Sequence, residues 1–244
     1  MVARLVRQAF QGRPAFDTAV SAAILQRVAR GELPETVRLA RPGPMVAFGK
    51  QDVSSGGYEE AAAAAHEHGF QAVKRLAGGR AAVFHEQTVA FAWAERNPDP
   101  WPGTHDRFRR VAGVLERALR GLGVDARIGE VPGEYCPGEY SLNARGRTKL
   151  VGLGQRIIKG ATHIGGVIVV ADAARIREVL VPVYEALGLP WDPDTTGSIE
   201  DEIGGVPFED VVAAIRSELP ALDEAPLDGA TLALAEQLER QHLG

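Results

Sequence analysis

Cysteine is almost absent from the sequence, because Cys136 is the only one among 244 residues. A single cysteine cannot form an intramolecular disulfide, which excludes a disulfide-stabilised secreted scaffold and favours a reducing, cytoplasmic location. It also excludes a cysteine-rich zinc site. No group of histidines and carboxylates has the spacing of metal ligands either, so we expect no bound metal.

Long apolar runs and an excess of positive charge are also lacking. No segment approaches the ~20 apolar residues that a membrane-spanning helix needs. Arg4 and Arg7 interrupt the N-terminal stretch, so we expect neither a signal peptide nor a membrane association. The 27 Lys and Arg residues are outnumbered by 32 Asp and Glu, and the net charge of -5 argues against a nucleic-acid partner.

What the sequence does contain is the composition of a globular domain, with 45% hydrophobic and 24% charged residues. Apolar periodicity predicts helices over 16–30, 58–68, 104–122, 172–187, 208–219 and 231–242. Short extended segments are predicted at 37–48 (two of them), 71–76, 80–85, 88–94, 125–128, 140–144, 148–158 and 162–170. Asp17 is expected to cap the first helix, and Glu86-Gln87 to be the turn of a hairpin between 80–85 and 88–94.

This order of elements predicts an α+β fold in which helices flank a mainly antiparallel or mixed β-sheet. The glycine-rich turn of a Walker or Rossmann nucleotide site is missing. We expect residues 1–190 to form the main domain. Residues 191–244 then form a linker and a helical segment packed on that domain.

The segment 74–85 carries the first candidate site. It reads Lys-Arg-Leu-Ala-Gly-Gly-Arg-Ala-Ala-Val-Phe-His. The pair Gly78-Gly79 would let backbone approach a ligand closely, and Arg75 would add a charge-assisted contact. An ordinary β-turn is the alternative interpretation of a glycine pair.

Cys136 is the second candidate, within Gly-Glu-Tyr-Cys-Pro-Gly-Glu-Tyr at 133–140. Loops supported by a sheet often carry catalytic residues, and an activated thiol is a nucleophile. An incidental loop cysteine is the alternative.

Lys149 is the third candidate, in Gly-Arg-Thr-Lys-Leu-Val-Gly-Leu-Gly-Gln-Arg at 146–156. A strand leaving the turn would point Lys149 to one face, where its charge could stabilise an oxyanion. Gly152 and Gly154 share one parity and leave their face smooth. A surface lysine beside a hairpin turn is the alternative. His85 and His163, each alone in a predicted strand, could equally be structural.

Together these segments resemble the superfamily of lipoate-protein ligase A and the octanoyltransferases, which shares its catalytic fold with biotin protein ligases. The ordered motifs are Arg-x-x-Gly-Gly at 75–79, Lys-x-x-Gly-x-x-Gln-Arg at 149–156 and Gly-x-x-His-x-Gly at 160–165. The resemblance covers about residues 7–187 and implies this catalytic fold for the main domain.

The loop around Cys136 is most similar to the cysteine-dependent octanoyltransferases, particularly the type that moves octanoyl groups between lipoyl domains. The resemblance implies that Cys136 is the acyl-accepting nucleophile and that Lys149 assists it. It also assigns the following residues to substrate binding: Arg75, Gly78, Gly79, Arg80, Ala81, Ala82, His85, Gly152, Gln155, His163 and Gly165.

The resemblance further implies a reaction and its partners. An octanoyl or lipoyl group would pass through a cysteine thioester to a lysine on a lipoyl domain, with no cofactor. The partners would be lipoyl domains of 2-oxoacid dehydrogenases or the glycine cleavage H protein, with acyl carrier protein as a second candidate donor.

Two other functions stay open. One is an ATP- and Mg²⁺-dependent lipoate ligase that forms lipoyl-AMP. Arg80 argues against it, because it stands where the ligases have a third glycine. The other is a non-catalytic homologue that only binds lipoyl domains.

Overall fold

A computed structural model describes residues 2–244, which form two β-sheets and the helices that pack on them. The strands are β1 (Ala3–Val6), β2 (Thr36–Ala40), β3 (Met45–Phe48), β4 (Gln71–Lys74), β5 (Ala82–Phe84), β6 (Thr88–Arg96), β7 (Ala126–Ile128), β8 (Leu142–Ala144), β9 (Thr148–Ile158), β10 (Ala161–Val169) and β11 (Leu222–Glu224). The helices are α1 (Pro14–Ala29), α2 (Lys50–Val53), α3 (Tyr58–Glu67), α4 (Thr104–Gly121), α5 (Ala173–Ala186), α6 (Ile199–Ile203), α7 (Phe208–Ser217) and α8 (Gly229–Leu238). No helix in this part of the chain has the length and apolar character to cross a membrane.

The larger sheet has eight strands in the order β11-β1-β2-β6-β10-β9-β8-β7. The three strands at one side of this sheet, β11, β1 and β2, run parallel to one another. All other neighbouring strands pair antiparallel. The smaller sheet has the order β4-β3-β5, with β3 parallel to β4 and antiparallel to β5. The predicted mixed sheet flanked by helices is confirmed.

Alternation along the strands gives the large sheet two different faces. One face presents large apolar side chains such as Leu39, Phe91 and Ile164, which form a core with helices α4 and α7. The opposite face presents small residues at the alternate positions, including Ala90 and Ala92. Helix α1 and the smaller sheet cover that face, and helices α3 and α5 pack behind the smaller sheet.

The predicted hairpin across Glu86-Gln87 is wrong. Strand β5 pairs with β3 in the small sheet, whereas β6 pairs with β2 and β10 in the large one. The chain changes sheets between them, where Thr88 N–H donates to the His85 carbonyl at 2.9 Å. The reason lies in burial, because Val83 belongs to the core of the small sheet and Val89 to that of the large one.

Other differences concern the ends of the chain and the start of the first helix. Strands β1 and β11 were not predicted, and both are short and lie at the parallel edge of the large sheet. Part of the predicted linker is helix α6, and Ile199 within it is fully buried. Asp17 lies inside α1 rather than capping it, and its carboxylate accepts from Phe10 N–H and from Arg38. The boundary at residue 190 remains a prediction.

Candidate active site

A largely apolar pocket lies between the two sheets, against helix α1. Its floor is the small-residue face of the large sheet, and strand β3 lines the opposite side. Cys136, Lys149 and Arg75 all lie on its wall, although they come from three distant segments of the sequence. The pocket therefore joins the three predicted motifs.

The sulfur of Cys136 is surrounded by hydrogen-bond donors from the glycine-pair segment. The backbone N–H of Arg80 lies 3.2 Å from Sγ, and Arg75 Nη1 lies 3.6 Å from it. Arg75 Nη1 also donates to the Arg80 carbonyl at 2.8 Å, which holds the guanidinium in place. Donors that converge on one sulfur stabilise a thiolate, which is the nucleophilic form of cysteine.

The backbone of Cys136 adopts an uncommon conformation, with φ 44°. Its N–H donates to the Tyr184 hydroxyl at 2.9 Å, and that hydroxyl donates to the Ala81 carbonyl at 2.9 Å. Its carbonyl accepts from Lys149 Nζ at 2.7 Å. Two side chains from other elements thus hold both polar backbone groups of a strained residue, as is common at functional sites.

Lys149 reaches this loop because of a β-bulge in β9. Leu142 pairs with Val151 and Asn143 with Lys149, so β9 has one extra residue at Leu150. Leu150 and Val151 both belong to the core on the face that α4 and α7 cover. Lys149 therefore emerges on the same face as Gly152, where a Cβ on Gly152 would lie 3.4 Å from Lys149 Cε.

Lys149 is completely buried, and its ammonium has three acceptors. These are Glu134 Oε1 at 2.8 Å, the Tyr135 carbonyl at 3.0 Å and the Cys136 carbonyl. A lysine has three N–H donors, so all of them are used. In this arrangement Lys149 positions the loop that carries Cys136, and an oxyanion role would require it to give up one of these bonds.

Glycine lets two loops and strand β9 come into contact at the site. A Cβ on Gly49 would lie 1.8 Å from the Gly79 carbonyl oxygen, and one on Gly154 would lie 2.6 Å from the Gly78 carbonyl oxygen. Gly78 N–H donates to the Gln155 carbonyl at 3.3 Å. The glycine pair is therefore a structural contact between the sheets as well as a neighbour of Cys136.

The other predicted residues differ in what they contribute to the site. Ala82, Gly152, His163 and Gly165 line the pocket. His163 lies over Gly165, where a Cβ would meet its Nε2 at 2.5 Å. Burial lowers the pKa of His163 to about 4. Its ring is therefore uncharged at neutral pH.

His85 and Gln155 do not contribute side chains to the pocket, and this corrects their predicted substrate contacts. His85 is fully buried at the crossing between the sheets, where Nδ1 accepts from Gln87 N–H at 3.2 Å. Burial lowers its pKa to about 4. Gln155 Oε1 accepts from Arg107 on α4, because the side chain of Gln155 points to the opposite face of β9.

Arg80 acts through its backbone. Its N–H contacts Cys136, whereas its guanidinium forms an ion pair with the fully buried Asp52 at 3.1 Å. Ala81 contributes only its carbonyl oxygen to the Tyr184 hydroxyl. Within residues 2–244, no cluster of three or more His, Cys, Asp and Glu side chains could hold a metal ion.

Sequence reasoning missed three residues that hold the site: Glu134, Tyr184 and Asp52. Glu134 lies in the motif around Cys136, and sequence reasoning could have predicted this acid as an ion-pair partner of Lys149. Tyr184 is 48 residues from Cys136 in an ordinary amphipathic helix, so no local pattern indicates its role.

A comparison with protein families decides the relationship. The family model for the lipoyl protein ligase A/B catalytic domain matches residues 13–219. The chain therefore belongs to the lipoyl protein ligase A/B catalytic-domain family. The resemblance predicted from the three motifs is confirmed.

Curated relatives differ in how much of their length this chain matches. An octanoyl-GcvH:protein N-octanoyltransferase from Bacillus velezensis is 27% identical over 66% of this chain and 57% of the relative. One from an Exiguobacterium species is 26% identical over 80% of this chain and 74% of the relative. The chain thus spans little more than half of the first relative.

A solved structure supports the family fold. A lipoate-protein ligase A bound with ATP superimposes with a TM-score of 0.81 at 19% identity, and the match covers 99% of this chain and 95% of that one. At this identity the likeness concerns the fold alone.

Within this family fold, Gly79 is the glycine whose added Cβ would meet both Arg75 and the sulfur of Cys136. It has φ +121°, and a Cβ there would lie 2.6 Å from Arg75 Nη1 and 2.9 Å from Cys136 Sγ. We expect Gly79→Ala to displace one of these groups and to lower the rate at which a small thioester acylates the Cys136 thiol on the order of 10²-fold. Single-turnover acylation rates measure this.

Gly69→Ala is the matched control. Gly69 also has a positive φ of +78°, but nothing lies within 4 Å of its added Cβ. It should lose stability and keep its acylation rate. Equal acylation rates in the two variants would show that crowding around Cys136 does not matter.

Proposed function

We propose that this protein is an acyltransferase that moves an octanoyl group, through a thioester on Cys136, to a lysine of a lipoyl domain. The observation that carries the proposal is the position of Cys136 Sγ, between the Arg80 N–H and the Arg75 guanidinium at the wall of a largely apolar pocket. The names of the curated relatives support octanoyl as the acyl group and a lipoyl-domain protein as the partner.

The reaction proceeds in two displacements. The Cys136 thiolate attacks the acyl carbonyl, a carbon–sulfur bond forms, and the bond to the donor breaks as the leaving group takes a proton. The ε-amine of the acceptor lysine then attacks the thioester. A carbon–nitrogen bond forms, the amine loses a proton and the thiolate is restored.

Charge develops first on sulfur and then on the carbonyl oxygen. The Arg80 N–H and Arg75 stabilise the thiolate before attack. The tetrahedral carbon is bonded to the same sulfur, so the oxyanion on that carbon forms beside these donors. It can then accept the hydrogen bonds that the sulfur accepted before. Lys149 keeps Cys136 in place through its carbonyl, and ATP has no part in these steps.

The size of the pocket agrees with a medium-length acyl chain. Its volume is about 90 Å³, whereas one water needs roughly 10–15 Å³. The pocket therefore has room for several chain atoms rather than for one small group. Each methylene moved from water contributes about 0.8 kcal/mol, so the apolar wall favours such a chain.

Intact mass measurement tests the proposal directly. The protein is incubated without ATP with octanoyl-loaded lipoyl-domain protein, and separately with octanoyl-loaded acyl carrier protein. We expect a hydroxylamine-sensitive octanoyl adduct that maps to Cys136. The donor that gives the adduct identifies the natural one.

A third reaction contains free lipoate, ATP and Mg²⁺. Formation of lipoyl-AMP in this mixture, with no adduct from either donor, would replace the proposal with a ligase. Binding of lipoyl domains with neither product would indicate the non-catalytic homologue.

A further inference from the structure

The far end of the pocket is closed by charged and polar side chains that the proposed chemistry does not use. The large sheet has a row of residues in register across four strands, with Arg38 on β2, Ala92 on β6, Gly165 on β10 and Gly154 on β9. Arg38 is the only large side chain of this row. His163 lies over Gly165 and the Gly78 carbonyl over Gly154, so the open part of the floor lies toward Ala92 and ends at Arg38 on β2.

The side of the pocket formed by β3 runs in the same direction. Gly49 follows this strand and touches Gly79 beside the nucleophile, Ala47 comes next, and Met45 lies at the other end. Met45 Sδ is 3.9 Å from the Thr18 hydroxyl on α1. Both sides of the pocket thus lead from Cys136 to helix α1.

Arg38 is held rigidly at this end. Its side chain is 4% exposed and forms an ion pair with Asp17, whose side chain is also 4% exposed. Nη1 donates to the Asp17 carboxylate at 3.1 Å, to the Asp17 carbonyl at 3.0 Å and to Ser21 Oγ at 3.3 Å. Nη2 and Nε donate to the Gln8 carbonyl.

Every nitrogen of the guanidinium is therefore hydrogen-bonded within the protein. The pair offers no free donor to a ligand, and displacing it would leave a buried charge unpaired. A buried ion pair is by itself a weak source of stability. At the end of an apolar pocket it is a fixed wall.

The distances suit an eight-carbon chain. From β9 to β2 there are three interstrand spacings of about 4.8 Å, or roughly 14 Å. An extended chain advances about 3.3 Å over three backbone bonds, so an octanoyl chain spans roughly 8 Å. Cys136 is tied to the β9 end of this span through Lys149, and the Arg38 side chain takes up part of the β2 end.

We propose that Ser21, lying against the Arg38–Asp17 pair, is the residue that limits the length of the acyl chain. Ser21 is half-buried on α1, lines the pocket and accepts a hydrogen bond from Arg38. Ser21 is a small residue at the end of the pocket that Arg38 and Asp17 close. A larger side chain there shortens the pocket without touching Cys136. This inference rests on the proposed function.

The test measures acylation of Cys136 by intact mass with small thioesters, so that no donor protein is needed. The probes are the N-acetylcysteamine thioesters of hexanoate, octanoate and decanoate. Wild-type protein should react fastest with octanoate and slower with decanoate. Ser21→Leu should prefer hexanoate, with a loss of roughly fourfold for each methylene that no longer fits.

Two further variants complete the experiment. Met45→Ala should act in the opposite direction and increase the rate with decanoate, which keeps the assignment testable if Ser21→Leu does not fold. Ser217→Leu, at an exposed position on α7, is the matched control and should keep the wild-type profile.

The outcomes separate the two proposals. The wild type could form adducts while Ser21→Leu and Met45→Ala keep the wild-type preference for chain length. That result would overturn the assignment of Ser21 and leave the proposed acyltransferase activity standing. No adduct at any chain length would overturn the acyltransferase, and the assignment of Ser21 with it.

Discussion

Cys136→Ser should lower kcat/KM for octanoyl transfer by on the order of 10³-fold or more. The serine hydroxyl has nearly the same shape, and the backbone contacts of Cys136 to Tyr184 and Lys149 do not involve the sulfur. The loss therefore comes from chemistry, because a hydroxyl stays protonated at neutral pH and the donors around Sγ have no thiolate to stabilise.

Transfer of a radiolabelled octanoyl group to a lipoyl domain is the measurement. The thermal melting temperature of Cys136→Ser should equal that of the wild type and serves as the control. A variant that still transfers the acyl group, with a requirement for ATP, would mean that the cysteine is incidental and that the protein acts as a ligase.

Lys149→Met should have the second large effect, on stability and on activity together. It leaves the buried carboxylate of Glu134 without its cation and removes the donor to the Tyr135 and Cys136 carbonyls. Breaking one half of a buried ion pair costs about 3–5 kcal/mol of unfolding free energy. Loosening of the loop that carries Cys136 should lower the acylation rate on the order of 10²-fold.

A second substitution separates these two effects. Glu134→Gln removes the stranded charge, so the double variant Glu134→Gln/Lys149→Met should recover most of the lost stability. It should not recover activity, because the Cys136 carbonyl still lacks its donor. Urea denaturation and single-turnover acylation measure the two quantities. Full recovery of activity in the double variant would show that Lys149 acts only through stability.

Much of the site could be predicted because its chemistry lies in short, contiguous motifs. Cys136 and Lys149 stand out in the sequence, and the order of the three segments identifies the family before any fold is known. His85 and Gln155 show the limit of this reasoning. They belong to the same motifs, yet one is buried at the crossing between sheets and the other points to α4. Motif membership does not say to which side a strand residue points.

Residues that act at a distance could not be found in this way. Tyr184 holds the Cys136 N–H from helix α5, and Asp17 pairs with Arg38 from helix α1. Along the sequence, Tyr184 looks like a core aromatic and Asp17 like a helix cap. Their partners are set by how the helices pack on the sheets, which local periodicity does not encode.

The sequence by itself determined the class of fold, the family and the two residues on which the proposed chemistry depends, since apolar periodicity and short motifs are local properties. The tertiary structure alone decided which side chains meet. The bulge at Leu150 turns Lys149 to the pocket face, because one extra residue reverses the alternation of a strand. The crossing between β5 and β6 separates the two sheets and creates the pocket between them. Both depend on pairings between distant segments, which follow from burial of the whole chain.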